Sequence, residues 1–199
     1  YGTPVYYSAV GGDETGKEYI ERLNASGVES RIVRKDKETG ISFVAVTPDG
    51  ERTMFTFLGA CRTIAEADVD FTLIGKAALL HLTGYMWDTE NQKRITTRAT
   101  DIAREAGTVV SFDLADPFVV KRYRAEFLDW IPGHVDLLFG NRDEFKILTG
   151  IFDDDERVFQ AARDLARTVV MKVGARGAWA AGDGQVVRVD GKKVTVRDT

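Results

Sequence analysis

The fold is decided by the stretch VDLLFGNRDE at residues 135–144, where an apolar run ends in a polar turn. The run suits a short strand, and the residues after it predict the start of a helix. Asn141 with Glu144 three residues later resembles a variant capping box, in which side chains bond the free amides of a helix N-terminus. A carboxylate in the first turn of a helix at the rim of a sheet is also well placed to hold Mg²⁺, directly or through water. The residues by themselves favour capping, and the metal interpretation stays open.

Strand and helix patterns alternate on both sides of this stretch. Strands are predicted at residues 5–10, 78–83, 108–114, 135–139 and 169–173, and helices at 88–106, 117–131, 141–149 and 155–168. A further helix follows the first strand and stops at Gly27, and more β-segments follow Gly174. Such alternation with short connections predicts an α/β fold whose mostly parallel sheet is sandwiched by helices.

The segment at residues 31–58 has a different character, because no helix-length pattern interrupts it. Ile41–Val46 and residues 53–58 are rich in β-formers, and the PDG turn at 48–50 lies between them. We expect a hairpin with one covered face, set apart from a core made of residues 1–30 and 59–199. The exposed edges of such a hairpin invite pairing with another strand, so a homodimer through this element is an open expectation.

Composition excludes several classes of function. The 199 residues carry a net charge of −4, so no overall positive field exists to attract nucleic acid or an anionic membrane. No apolar run approaches the ~20 residues of a membrane span. The single cysteine, Cys61, rules out an internal disulfide and suits a reducing cytoplasm. The chain lacks an initial Met and stops after a strand-like run, so we expect it to be cut at both ends.

The glycine-rich stretch at residues 11–16 resembles the phosphate loop G-x-x-x-x-G-K, which requires Ser or Thr at the next position to bind Mg²⁺. Here Glu18 follows Lys17, and Asp13 with Glu14 puts negative charge where a triphosphate would lie. An ordinary glycine turn between a strand and a helix is therefore favoured. The spacing also fails to supply the G-x-G-x-x-G of a nicotinamide-dependent oxidoreductase.

Two further candidates lie where predicted strands end, which is where ligands bind in open α/β sheets. Asp113 is a carboxylate at a strand end, whereas Asp116 is suited to cap the next helix. Lys172 leads into a glycine turn with Gly174 and Gly177. That turn is either a plain hairpin connection or a place where the backbone approaches a phosphate closely.

In order and spacing, five segments resemble the ribokinase-like, or PfkB, family of carbohydrate and nucleoside kinases. They are Gly11-Gly12-Asp13 with Gly16 and the later Leu23 and Gly27-Val28, Asp49-Gly50-Glu51-Arg52, Asn141-x-x-Glu144, Lys172-x-Gly174-x-x-Gly177, and Asp198-Thr199. The second is similar to the tip of the family's β-lid, and the last to the start of its D-T-x-G-A-G-D signature. The resemblance implies a ribokinase-like fold with residues 31–58 as the β-lid, and it implies ATP and Mg²⁺ as cofactors.

The resemblance also implies roles for single residues. In the family the N-x-x-E motif helps to place Mg²⁺ and phosphate, which makes Asn141 and Glu144 the expected metal site and puts capping alone in second place. The positions implied to bind ATP are Asn141, Lys172, Gly174, Gly177, Asp198 and Thr199. The family's catalytic base is an Asp later in the signature, so we expect it beyond Thr199.

Within the family the nearest resemblance is to the adenosine kinase branch. It rests on ERTM at 51–54, GYM at 84–86, LADPF at 114–118 and the stretch at 135–141. The substrate-binding positions that it implies are Arg52, Tyr85, Met86, Asp113 and Phe118. The expected activity is transfer of the γ-phosphoryl group of ATP to a hydroxyl of a small molecule, either an adenosine-like nucleoside or a sugar. The alternatives are a sugar kinase of the ribose or fructose type and a non-catalytic nucleotide- or sugar-binding module.

Overall fold

The computed structural model describes residues 2–50 and 52–193, and these fall into two compact units. The first unit runs to Asp70 and also takes in Thr89–Ile95. The second unit holds Phe71–Asp88 and the described residues after Ile95. Asp198 and Thr199, two of the expected ATP-binding positions, lie outside the described residues, as does Glu51 of the expected hairpin tip.

The first unit contains two pairs of strands and one helix. Its elements are β1 (Val5–Gly11), α1 (Glu14–Ala25), β2 (Glu29–Lys35), β3 (Ile41–Val46) and β4 (Arg52–Phe57). The strands β1 and β2 pair in parallel, with Gly11 opposite Lys35 at their ends. The strands β3 and β4 pair with each other in antiparallel orientation, which confirms the predicted hairpin. Gly27, with φ of +79°, follows the last turn of α1, as the sequence predicted.

The hairpin differs from its prediction in burial. Directly opposed residues of an antiparallel pair share a face, so one face carries Ile41, Phe43, Phe55 and Phe57. All four of these side chains are exposed, and Val44, Val46 and Met54 on the other face are exposed as well. The expectation of one covered face is therefore wrong. The β-formers that predicted the strands carry no information about what packs on them.

The second unit is built on a six-stranded sheet. Its elements are β5 (Leu79–Thr83), α2 (Glu90–Ala106, which begins in the first unit), β6 (Val109–Asp113), α3 (Pro117–His134), β7 (Leu137–Asn141), α4 (Arg142–Thr149), α5 (Asp155–Ala162), β8 (Thr168–Lys172), β9 (Ala178–Gly182) and β10 (Gln185–Val189). The strand order is β10-β9-β8-β7-β6-β5. The strands β5 to β8 run parallel, and β9 and β10 continue the sheet in antiparallel pairs. The mostly parallel sheet is confirmed.

Two element ends differ from the sequence prediction. Helix α3 continues past Pro132 to His134, and the amide of Val135 closes its last turn on the carbonyl of Ile131 at 3.0 Å. Strand β7 consequently begins two residues later than predicted. Helix α5 stops at Ala162, six residues before the expected end, and a turn leads from there into β8.

The order of the strands determines where the helices of the second unit lie. Each of the connections β5–α2–β6, β6–α3–β7 and β7–α4–α5–β8 joins neighbouring parallel strands, and such crossovers are right-handed. Contacts place α3 and α5 on one face of the sheet, because Phe127 of α3 meets Phe112 and Phe159 of α5 meets Trp179, which shares the face of Phe112 by the strand register. The strand residues whose side chains are fully buried are Val110, Phe112, Leu138, Val169 and Met171. They belong to one face by the strand register.

An aromatic cluster fills the core on that face. Phe112 of β6 and Phe127 of α3 meet edge to face, with ring centroids 5.4 Å apart. Trp87 contacts Phe127 at 5.2 Å and Trp130 at 4.6 Å between centroids, again edge-on. Edge-to-face pairs add stability beyond the area that they bury.

Within the described residues, no helix combines the length and apolar character that crossing a membrane requires.

Phe127→Ala should lower the free energy of unfolding by about 3–5 kcal/mol, because it removes a fully buried ring from the centre of this cluster. The matched control is Phe118→Ala in the same helix, where the ring is 69% exposed and the expected change is within about 0.5 kcal/mol. Urea unfolding of both variants measures the difference. Equal losses would contradict the placement of the core.

Candidate functional site

Three neighbouring strands bring polar residues to one edge of the sheet. Asp113 ends β6, Asn141 ends β7 and Lys172 ends β8, with Asn141 and Lys172 directly opposed in the register. The ammonium of Lys172 lies 3.2 Å from Oδ2 of Asp113, so the pair bridges the end of β7. This is the carboxyl edge of the parallel strands, where α/β sheets bind their ligands.

Asn141 and Glu144 form a capping box at the start of α4. Oδ1 of Asn141 accepts the amides of Asp143 and Glu144, each at 2.9 Å. In return, Glu144 accepts the backbone amide of Asn141 on Oε2 at 2.6 Å and its side-chain amide on Oε1 at 2.7 Å. The capping prediction is confirmed. It leaves Glu144 as a carboxylate that is only 2% exposed.

The surroundings of Glu144 disfavour its negative charge. Burial raises the pKa of this carboxyl above its ordinary value, while the Asn141 amide and Lys172 act in the opposite direction. Asp113 and Asp116 raise the pKa further by repulsion. A buried carboxylate near two others and one lysine favours an additional cation.

Gly140 makes room for this carboxylate. A Cβ at that position would lie 2.8 Å from Cδ1 of Leu114, 2.9 Å from the Phe145 ring and 3.2 Å from Oε2 of Glu144. Distances under 3 Å require a neighbour to shift, and these neighbours are packed in the core. The glycine at position 140 of β7 is therefore a requirement of packing around Glu144.

The loop after β6 holds a strained turn next to the site. The amide of Asp116 bonds the carbonyl of Leu114 at 3.0 Å, and Ala115 between them has φ of +73°. This is the rarer, strained form of the γ-turn, which L-residues avoid. Oδ1 of Asp113 accepts the Ala115 amide at 2.9 Å and stabilises the turn. Strain of this kind concentrates at functional sites.

Tyr85 and Met86 lie in a short 3₁₀ turn, Gly84–Trp87, directly after β5. Burial raises the pKa of the Tyr85 hydroxyl, and the nearby charges of Asp116, Glu144 and Asp113 raise it further. The phenol is thus within electrostatic range of the three carboxylates, although its ring stays largely exposed. The turn is anchored by Trp87, whose ring joins the aromatic core.

The glycine turn after β8 is a hairpin connection, and the approach of a phosphate to its backbone stays a prediction. Val173 and Gly177 close it with a 2.9 Å backbone bond, and β9 returns antiparallel to β8. Gly177 has φ of +88°, and a Cβ there would overlap the carbonyl of Val189, so its close approach is to this chain's own backbone. At Gly174 a Cβ would meet nothing within 4 Å, which leaves that backbone accessible.

Arg176 fastens this turn to helix α5 through an ion pair with Asp155. Lys146 of α4 binds the same carboxylate at 3.3 Å. Burial by itself would raise the pKa of Asp155, but the bonds from Arg176 and Lys146 outweigh it and hold the pKa below its ordinary value. The sequence did not single out these residues, because their pairing joins separate elements.

The structure therefore brings together several of the predicted positions. Asp113, Asn141, Glu144 and Lys172 meet at the sheet edge, with Tyr85 in electrostatic range. Phe118 is exposed at the start of α3, where its amide donates to the capping Asp116 at 2.7 Å. Arg52 lies on β4, in the first unit. Asp116, read from sequence only as a cap, proves to be one of the three site carboxylates as well.

The residues fit a hydrated cation better than direct chelation. Among residues 2–50 and 52–193, no three His, Cys, Asp or Glu side chains stand close enough to form a chelating group. Both oxygens of Glu144 are already engaged by Asn141, so Glu144 would act through the water shell of Mg²⁺. Mg²⁺ keeps several waters when it binds to proteins, and an excess of carboxylates over lysine suits it.

Comparison with known proteins defines the class first. The fold is similar to an adenosine kinase from Sinorhizobium meliloti with a TM-score of 0.92 and 29% identity, over 100% of this chain and 62% of that one. This likeness confirms the expected ribokinase-like α/β fold class. The model of the pfkB family of carbohydrate kinases matches residues 2–199, and the chain belongs to that family.

Curated relatives carry both nucleoside and sugar-acid names. A nucleoside kinase from Methanothermobacter thermautotrophicus is 30% identical over 92% of this chain and 56% of its own length. A 2-dehydro-3-deoxygluconokinase from Thermoproteus tenax is 30% identical over 95% of this chain and 60% of its own length. The chain thus spans less than two thirds of the relatives that it matches.

Asp155→Asn should reduce stability at neutral pH by up to about 1 kcal/mol, the range of partly exposed ion pairs. The pKa of Asp155 is lower in the folded protein than in the unfolded chain, where it is near 3.8. Its contribution to the free energy of unfolding is therefore present above the unfolded pKa and is lost as the pH falls through the folded pKa. The difference in unfolding free energy between wild type and variant should therefore shrink only below about pH 4. Denaturant unfolding from pH 3 to 7 measures this.

Asp155→Glu, which retains the charge, is the control and should follow the wild-type profile. Identical profiles for wild type and Asp155→Asn would mean that Arg176 and Lys146 do not hold the glycine turn through this carboxylate.

Proposed function

We propose that the protein is an ATP-dependent kinase that phosphorylates a hydroxyl of an adenosine-like nucleoside. The observation that carries the proposal is the buried Glu144 carboxylate, held by Asn141 at the carboxyl edge of the sheet in a chain of the pfkB family. The adenosine kinase and nucleoside kinase among the similar proteins support the nucleoside acceptor.

Phosphoryl transfer asks a protein for alignment and for neutralisation of charge rather than for covalent chemistry. Bound Mg²⁺ would neutralise charge on the phosphates during transfer. Asn141 and Glu144 would orient the waters around that ion, because the capping box fixes the carboxylate in one position. Lys172 would add positive charge at the same edge, and Asp113 would hold the lysine in place. The accessible backbone at Gly174 would lie along the nucleotide.

The acceptor would be bound by the residues after β5 and β6. Tyr85 and Met86 offer an apolar wall to a base or sugar, and the exposed Phe118 ring offers a second surface for stacking. The γ-turn at Ala115 sets the position of Asp113 and Asp116 relative to that wall.

A second acceptor class is a sugar or sugar acid, which the likeness to the 2-dehydro-3-deoxygluconokinase favours.

Three further expectations stay predictions. Residues 31–58 serve as the family's lid, Arg52 within them contacts the acceptor, and the location is cytoplasmic. The homodimer is also a prediction, and the exposed aromatic face of the hairpin with Phe43 and Phe55 is the surface that it would use.

A substrate panel on the full-length protein tests the function, with ADP release as the measurement. We expect the highest kcat/KM with adenosine, ahead of ribose, fructose and 2-dehydro-3-deoxygluconate. Preference for a sugar would overturn the acceptor and leave the kinase activity in place. Binding of ATP and acceptor without turnover would indicate the non-catalytic module instead.

Glu144→Gln should lower turnover by about 10²–10³, the usual effect of removing one preorganised electrostatic contact. The Mg²⁺ concentration for half-maximal rate should rise too, because the amide no longer attracts the cation. Gln keeps an acceptor for the Asn141 backbone amide but turns its own amide donor toward the Asn141 side-chain amide, so stability should also fall by about 1–3 kcal/mol. A Mg²⁺ titration of the rate and a thermal melt measure the two effects.

The matched control is Glu156→Gln, which removes an exposed carboxylate paired with Arg188 in the same unit. Its turnover and Mg²⁺ response should match the wild type. A lower melting temperature for Glu144→Gln with an unchanged Mg²⁺ response would restrict Glu144 to helix capping.

A further inference from the structure

Asp13 does more than cap helix α1. Its Oδ1 accepts the Gly16 amide at 2.8 Å, the usual capping bond, and also the hydroxyl of Thr39 at 2.5 Å. Its Oδ2 accepts the backbone amide of Thr39 at 2.7 Å. The Thr39 hydroxyl in turn accepts the Gly11 amide at 2.9 Å, so every polar side-chain atom of the pair is used. We call the three of these bonds that involve Thr39 the Asp13–Thr39 clasp.

The clasp lies at the base of the β3–β4 hairpin. Thr39 is two residues before β3 and is 8% exposed. The other end of the hairpin is tied to the same loop, because the Ala60 amide bonds the carbonyl of Glu38 at 2.8 Å. Gly59 permits this contact with a φ of +56°, and a Cβ there would overlap the Glu38 carbonyl and lie 2.8 Å from the Gly40 amide. Both strands of the hairpin are therefore fixed to one point.

The hairpin has little else to hold it within the first unit. Among the described residues, β3 and β4 pair only with each other, and their large apolar side chains are exposed. A two-stranded hairpin alone is marginally stable in water. Its direction relative to β1 and α1 is consequently set at its base, where hydrogen bonds to a charged group are stronger than neutral ones.

Among residues 2–50 and 52–193, the N-capping aspartates Asp116 and Asp154 lack this second set of bonds. Oδ1 of Asp116 accepts the Phe118 amide and Oδ1 of Asp154 accepts the Glu156 amide, both within the first turn of their own helices. Asp13 alone among these three bonds a segment 26 residues away. The Thr39 hydroxyl, the Thr39 amide and the Gly16 amide all lower the pKa of Asp13, so the carboxylate stays charged at neutral pH.

We propose that Asp13 and Thr39 are positioning residues that set the orientation of the β3–β4 hairpin, and that this orientation governs affinity for the acceptor hydroxyl compound. The first part stands on the geometry of the first unit. The second part rests on the proposed kinase function and on the lid assignment for residues 31–58.

Two variants separate the clasp from the cap. Asp13→Asn keeps an oxygen for the Gly16 amide, and Asn is as good an N-cap as Asp. It also turns an amide donor toward the Thr39 amide, which breaks the clasp. Thr39→Val removes the hydroxyl at nearly constant shape, and Thr39→Ser restores it. Asp154→Asn is the control, since it makes the same change at an aspartate that only caps.

Hydrogen exchange by NMR gives the first measurement. The Gly11 amide in Thr39→Val and the Thr39 amide in Asp13→Asn should exchange about ten- to a hundredfold faster, the effect of losing one hydrogen bond to this network. Thr39→Ser and Asp154→Asn should match the wild type. Amides in α1 should be unchanged in Asp13→Asn, and equal acceleration there would reduce Asp13 to a helix cap and overturn the proposal.

Spin labels give the orientation directly, and they need no activity. Labels at Glu21→Cys in α1 and Thr53→Cys in β4, in a Cys61→Ser background, report a distance within the first unit. The distance distribution should broaden or shift in Asp13→Asn and Thr39→Val and return to the wild-type form with Thr39→Ser. Unchanged distributions would overturn the proposal, whatever the substrate panel shows.

Steady-state kinetics on the full-length protein test the second part. We expect KM for the acceptor to rise in Asp13→Asn and Thr39→Val, while KM for ATP and kcat stay near the wild-type values. Because both variants break the same set of hydrogen bonds, the double variant should raise KM for the acceptor no further than either single variant does. Equal increases in both KM values would mean a general loss of structure. Absence of any kinase activity would instead refute the proposed function. The role of the clasp would then be decided by hydrogen exchange and the spin-label distances.

Discussion

A single exchange of hydrogen bonds between Asn141 and Glu144 fixes the carboxylate on which the candidate site depends. Parallel strands end at the same edge of a sheet, and the capping box turns the chain from β7 into α4 at that edge. The bonds that satisfy the free amides of α4 also hold Glu144 in a buried position. Stability of the helix and geometry of the site therefore follow from the same four hydrogen bonds, and neither can change without the other.

The neighbours of Glu144 are arranged around the charge that this burial leaves. Lys172 reaches across the end of β7 to Asp113, and Asp116 lies in the following turn. The strained Ala115 conformation is retained because Asp113 and the Leu114 carbonyl both bond within the turn. An arrangement with three carboxylates and one lysine makes physical sense when a cation completes it, which is what ATP with Mg²⁺ would supply.

The two units use carboxylates in comparable ways for different ends. In the second unit a capping carboxylate is directed toward the ligand edge, and in the first a capping carboxylate is directed toward the base of a hairpin. Each carboxylate caps the N-terminus of its own helix and also makes a contact outside that helix. The cost of moving such a group is high in both cases, since a buried or charge-assisted hydrogen bond is lost together with the cap.

Sequence alone determined the features that arise between near neighbours in the chain. The alternation of strands and helices follows from the period of apolar residues, and the capping box follows from the three-residue spacing of Asn141 and Glu144. The hairpin follows from β-formers around a turn. Resemblance to a known family added the expected ligands and directed attention to Glu144, Lys172 and Asp113, which the structure brings to one edge.

Tertiary structure decided what depends on pairs that are distant in the chain. Lys172 and Asp113 are 59 residues apart, and Asp13 and Thr39 are 26 apart, so their meeting is set by strand register and not by local pattern. The exposed faces of the hairpin and the role of Asp116 beside Glu144 are of the same kind. A side chain's neighbours across a sheet or a loop are fixed only when the whole chain is packed, because local spacing constrains a residue's own element and nothing beyond it.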